Sequence, residues 1–179
     1  MRNRLAVALS AVIGGTLLSL ATPAHSTPTG GVHLECAGHF DVSFSPALTT
    51  VAQPTTITET DHYDSCSTGA RAGDITRSFT ITVSCADWAT TKPPGTEVIR
   101  WIGGIGERSS TVHYSSVAPT DRGASYSGEV LAGRFRGDNS QKQLVPTAFA
   151  PPAAAKCEPG SAVRAATGGI RLLLTDAEQ

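Results

Sequence analysis

The chain is short of the residues that build helical bundles. Of its 179 residues, 16% are charged and 6% aromatic, with one methionine and three lysines. Strong helix formers are scarce while Thr, Ser and 18 Gly are plentiful, which excludes a helix bundle. Length excludes a large β/α catalytic barrel. No G-x-S-x-G pentapeptide occurs, so the nucleophile elbow of an α/β-hydrolase is missing, and no cofactor fingerprint replaces it. Positive charge is scattered as well: the longest local group is Arg134 with Arg136. Counterion release on nucleic acid needs a clustered basic footprint, so nucleic acid is not an expected partner, and no basic amphipathic helix is present for a membrane surface.

What is present begins with an address. Arg2 and Arg4 precede an apolar stretch from Leu5 to Leu20, Pro23 ends it, and Ala24 and Ser26 fit a small-residue cleavage site. The run falls short of the roughly 20 apolar residues that span a bilayer and is interrupted by Gly14 and Gly15. Residues 1–26 therefore read as a cleaved signal peptide, leaving residues 27–179 as a single secreted domain with no stable membrane anchor. Two arginines and no acids leave with the leader, so 12 basic side chains face 15 acidic ones, a net charge of −3.

All four cysteines, Cys36, Cys66, Cys85 and Cys157, fall after the leader, and an even number in an exported chain points to disulfides. Three pairings are open in principle. The segments 32–45 and 55–64 flank a turn region near residue 50, which sets Cys36 opposite residues close to Cys66. Cys85 with Cys157 follows by elimination. Zinc is the competing use, because His33, Cys36 and His39 are closely spaced and His62 precedes Cys66. Alternation opposes it: on a strand His33 and His39 point to one face and Cys36 to the other, so the ligands cannot converge. No metal and no cofactor are expected.

Period-two patterning dominates the rest. Val32, Leu34, Cys36, Gly38, Phe40, Val42 and Phe44 alternate with polar residues, as do Phe79, Ile81, Val83 and Cys85. Ile170, Leu172 and Leu174 repeat the pattern, with Leu173 making the second face apolar and suggesting cover on both sides. Weaker strands are expected at 54–64, 96–103, 108–117, 123–135 and 141–149, with Gly, Pro, Asp and Asn punctuating the reversals. In 123–135 the apolar set changes face, and Gly133 is placed to make that change through a bulge. Residues 150–160 cannot be a central strand and read as a loop tied down at Cys157. About eight antiparallel strands result, an all-β fold of the β-sandwich or partly closed β-barrel kind with two disulfides.

The opener from Cys36 to Thr49, CAGHFDVSFSPALT, fits the pattern C-x-G-x-x-x-V-x-[FY]-S-P-x-L-T. With a cysteine about thirty residues on and the late segment SGEVLAGRF at 127–135, it resembles small secreted proteins of actinobacteria. The resemblance spans most of the mature chain and implies a disulfide-linked β domain. That group is of uncharacterised function, and no catalytic residue carries over from it. Eleven arginines against three lysines agree with a GC-rich genome.

Candidate chemistry is thin. His113 beside Tyr114, and His62 within Asp61-His62-Tyr63-Asp64, are the most site-like settings, since carboxylates can hold an imidazole tautomer; solvated strand ends are the plainer reading. Glu59 and Asp61 share one face of an extended strand, as a glycosidase pair must, and read as solubilising acids. Trp101 reads as core. Arg136-Gly137-Asp138 resembles an integrin-binding tripeptide but is ordinary turn chemistry. For protease inhibition, the T-C-x-P and G-x-H-P segments of subtilisin inhibitors are missing, leaving 92–95 or 103–108 as conceivable reactive loops. The expectation is a non-catalytic extracellular module that binds a protein or glycan, with a secreted inhibitor or small hydrolase as the other classes.

Overall fold

Alternation decides which face of each strand turns inward. In the computed structural model, which describes residues 31–91, 95–150 and 157–177, β1 (Val32–Leu48) buries Leu34, Cys36, Phe40, Val42, Phe44 and Leu48 while Glu35, His39, Asp41 and Ser43 stay exposed. Val32, counted with the buried set, is exposed at the strand's start. The leader, the mature start, residues 92–94 of one candidate loop and residues 151–156 lie outside the described residues.

Seven strands follow in a meander: β2 (Gln53–Cys66), β3 (Ala72–Val83), β4 (Gly95–Ile102), β5 (Ser109–Thr120), β6 (Gly123–Gly133), β7 (Asn139–Ala150) and β8 (Val163–Thr175). Each is antiparallel to the next, and β8 pairs back onto β1 from Val32 opposite Thr175 to Leu48 opposite Val163. Of the two forms expected, a sandwich or a partly closed barrel, the barrel is the one found, and its closure is complete. A continuous ladder satisfies the outer edges of β1 and β8, which a sandwich would leave exposed. Among the described residues there is no helix long and apolar enough to cross a membrane.

Two disulfides join the pairs expected. Cys36 and Cys66 sit directly opposite on β1 and β2, and Cys85 reaches Cys157 across a separation of 72 residues at the other end of the barrel. The first pair requires a slip. Ile57 and Tyr63 of β2 point inward at odd positions, yet Cys66 is even. One extra residue, Asp64, is inserted opposite the Ala37–Gly38 step, so Asp64 and Ser65 are exposed in succession and Cys66 turns in. The strands approach so closely there that a Cβ on Gly38 would lie 1.8 Å from the His62 carbonyl oxygen. In β6 the expected bulge exists but falls at Leu131, between Val130 and Ala132, and not at Gly133. Leu131 and Ala132 are thereby exposed in succession.

Leu173 is half-buried, so β8 is covered fully on its inner face alone. The ladder is thinnest between β3 and β4, which pair over three residues, Ala72–Asp74 with Ile102–Arg100. Residues 84–91 lie beyond the β3 end. Trp88 is buried against Phe44 with ring centroids 5.1 Å apart, and the Tyr126 hydroxyl donates to the Ala89 carbonyl at 2.7 Å.

Candidate functional site

Three groupings of polar or exposed apolar side chains stand out, and each is built by strand phase. The first lies inside. Odd positions of β2 face the interior, so Glu59 and Asp61 follow Ile57 inward and are buried with Glu97 of β4 and Lys142 of β7. This corrects the reading of Glu59 and Asp61 as solubilising acids. Lys142 Nζ lies 2.7 and 2.8 Å from the Glu97 carboxylate oxygens and 3.1 Å from Asp61, with the Tyr114 and Tyr126 ring centroids 5.0 and 5.2 Å away. Arg77 of β3 bridges Glu59, at 3.2 Å, and Glu97. Burial works against both cations, but the surrounding carboxylates outweigh it and hold Lys142 and Arg77 above their ordinary pKa values, charged at every working pH. Burial likewise raises the phenols of Tyr63, Tyr114 and Tyr126, which stay neutral. A pair of carboxylates does converge here, but each is already engaged by a cation within the packed interior, so the cluster is a structural lock.

The second grouping sits at the Cys36 end. His33 Nδ1 bonds Asp138 at 2.8 Å and its Nε2 lies 2.7 Å from Asp176, tying the start of β1 to the β6–β7 turn and to the residue after β8. The Asp138 carboxylate is buried, so Arg136-Gly137-Asp138 presents no adhesive acid and serves as turn chemistry. The hydrogen bond to Asp138 raises the His33 pKa, with partial burial opposing and the Asp138 and Asp176 charges adding to it. Burial pushes the Asp138 carboxyl up, against the pull of His33. A base whose folded pKa exceeds its unfolded value contributes stability that is complete below the unfolded value, 6.5, and lost as pH rises through the folded one. Urea midpoints are therefore expected to fall between about pH 6 and 8, and His33→Gln to flatten that slope; an unchanged slope in the variant refutes the assignment.

The third grouping is exposed and apolar. Among the described residues six large hydrophobics are exposed, and four of them, Val98, Ile102, Ile105 and Leu131, belong to β4, β6 and the β4–β5 turn. Val98 stands opposite Thr111 of β5, which in turn faces Ala132 beside Leu131, so the side chains run across three strands on the outer face. Ile105 tops the turn with 94% of its surface exposed. That turn is held from beneath: Arg134 Nη1 donates to the carbonyls of Gly69 at 2.8 Å and Gly103 at 3.0 Å, and Nη2 to Gly106 at 3.4 Å. The arginine is fixed in turn, because the Ser110 hydroxyl, which accepts the Trp101 indole N–H at 2.8 Å, donates to the Arg134 carbonyl.

The remaining sequence candidates scatter. His113 and Tyr114 point to opposite faces of β5, as do Asp61 and His62 on β2, so neither dipeptide forms one site. Trp101 is core, packed edge-on to Phe135 at 5.7 Å. Arg134 is buried and Arg136 exposed, which divides the one local basic group. Sequence reading missed Arg77, Glu97, Lys142 and the turn-holding Arg134. No family model, curated protein or solved structure matches the chain.

Proposed function

We propose that the protein is an exported, non-catalytic binding domain whose partner is another extracellular protein, docked on the outer face of β4 to β6 and the turn that carries Ile105. The observation that carries this reading is that four of the six exposed large hydrophobics among the described residues lie on β4, β6 and the β4–β5 turn, and that this turn is pinned by a buried arginine. Single exposed hydrophobics are ordinary, whereas a patch with a pre-ordered apolar tip offers an anchor whose ordering cost is met before binding. A glycan would want an outward aromatic platform, and Trp88 and Trp101 are both buried. The leader composition and two disulfides support an oxidising, extracellular setting. Protease inhibition draws on the same turn less well, because a substrate-like segment is extended and Gly103, Gly104 and Gly106 curl it with φ of 70°, 79° and 98°.

Immobilised protein, presented with secreted proteins from its native culture, is expected to retain a discrete partner. Ile105→Asp with Leu131→Asp is expected to weaken that capture by at least about 30-fold while leaving the melting temperature within about 2 °C. A partner retained equally by the variant, or none retained by the unaltered protein, refutes the proposal.

A further inference from the structure

We infer that His39, His62 and Asp41 form a binding site for a divalent transition metal of the zinc and copper class on the outer face of β1 and β2. The slip at Asp64 sets His39 directly opposite His62, and the two rings stack with centroids 4.8 Å apart and planes inclined by 25°. Each imidazole is oriented by its own carboxylate: His39 Nδ1 lies 2.7 Å from Asp64, and His62 Nδ1 lies 2.8 Å from Asp74. A neutral imidazole donating from Nδ1 keeps its lone pair on Nε2, so both histidines hold the same nitrogen available. Asp41, two residues from His39 and on the same face, brings Oδ2 to 4.0 Å from His39 Nε2.

The ligand atoms of the three side chains lie within 4.8 Å of one another. Bonds of about 2.0–2.2 Å in a tetrahedral site need ligand atoms roughly 3.4 Å apart, a closure that exposed side chains reach by rotation. Two imidazoles and one carboxylate favour zinc or copper over magnesium and calcium. Three protein ligands also leave a position open. Asp41 also lines a crease of about 360 Å³ bounded by Thr58, Thr60, Phe149 and Thr167.

The cluster of His33 with Asp138 and Asp176 makes a useful contrast. Both ring nitrogens of His33 already face carboxylates, at 2.8 and 2.7 Å, so neither lone pair is turned toward an open position. The metal inference stands apart from the β4–β6 docking face and survives its failure.

The test is calorimetric titration of the chelator-treated, disulfide-intact protein with zinc chloride, with cobalt chloride absorption as a second readout. One equivalent of zinc is expected, with a zinc-dependent rise in melting temperature. His39→Ala and His62→Ala are each expected to weaken binding at least about 100-fold, and Asp41→Asn about 10-fold or more. Asp74 is a positioning residue: Asp74→Asn is expected to cost about 10–100-fold and shift the cobalt spectrum, with Asp74→Glu restoring both. His33→Ala leaves zinc affinity unchanged. No saturable binding up to millimolar zinc, equal binding by His62→Ala, or loss of binding in His33→Ala overturns the site. Metal-free melting temperatures close to that of the unaltered protein show that each variant is folded.

Discussion

Lys142→Met is expected to destabilise the barrel by about 3–5 kcal/mol, read as a lowered urea midpoint with an unchanged slope. Methionine fills a similar volume, so the loss comes from charge. Lys142 is wholly buried and offers its ammonium to Glu97 at 2.7 Å and Asp61 at 3.1 Å. Without it, Glu97 and Asp61 lose the ammonium that both of them contact, Glu97 keeps the Arg77 guanidinium, and the desolvation cost of these interior acids is offset less. The paired variant Lys142→Met with Glu97→Gln removes one charge of each sign and is expected to regain part of the loss. A shift below about 1 kcal/mol for Lys142→Met alone would show that the acids do not depend on this ammonium.

Removing the Cys85–Cys157 bridge by a double alanine variant is expected to cost about 4 kcal/mol, the loop-closure entropy of a 72-residue separation. The Cys36–Cys66 bridge closes 30 residues and is expected to cost slightly less, about 3.5 kcal/mol. It also joins strands already paired over ten residues, whereas Cys85 and Cys157 flank the strands of that end and are joined by no strand pairing. Equilibrium denaturation of the two double variants measures both values. A loss under about 1 kcal/mol for the longer loop would place its constraint in a denatured state already ordered.

How much of this was legible follows from what each strand's pattern contains. β1 reads almost to the residue, Val32 at its start excepted, because Leu34, Phe40, Val42 and Phe44 mark one face. The burial of Glu59 and Asp61 was also readable: Ile57 and Tyr63 are the only large apolar residues of their strand and share its odd face with both acids, while Thr56, Thr58, Thr60 and His62 occupy the other. Taking the acids by themselves, and not the phase set by their neighbours, led to the opposite assignment. The slip in β2 was implied by the disulfide, since the inward face of β2 is odd and Cys66 is even.

Lys142 gave no such signal. Its strand offers Leu144 on one face and Val145 on the other, and only barrel closure decides which is inside. The opposition of His39 and His62 needs the register after the slip, which no spacing within one strand contains. Closure itself is a long-range property: nothing local to β1 or β8 states that they meet, and a sandwich uses the same strands.

The short ladder between β3 and β4 has a mechanical meaning. Elsewhere the wall is held by runs of pairs, ten between β1 and β2, but here, among the described residues, by three pairs and by one guanidinium that spans from β3 to Glu97 on β4. Sub-global opening follows the line of fewest contacts. The seam is therefore expected to open first, so that the backbone amides at 72–74 and 100–102 exchange with solvent before those of the β1–β2 ladder.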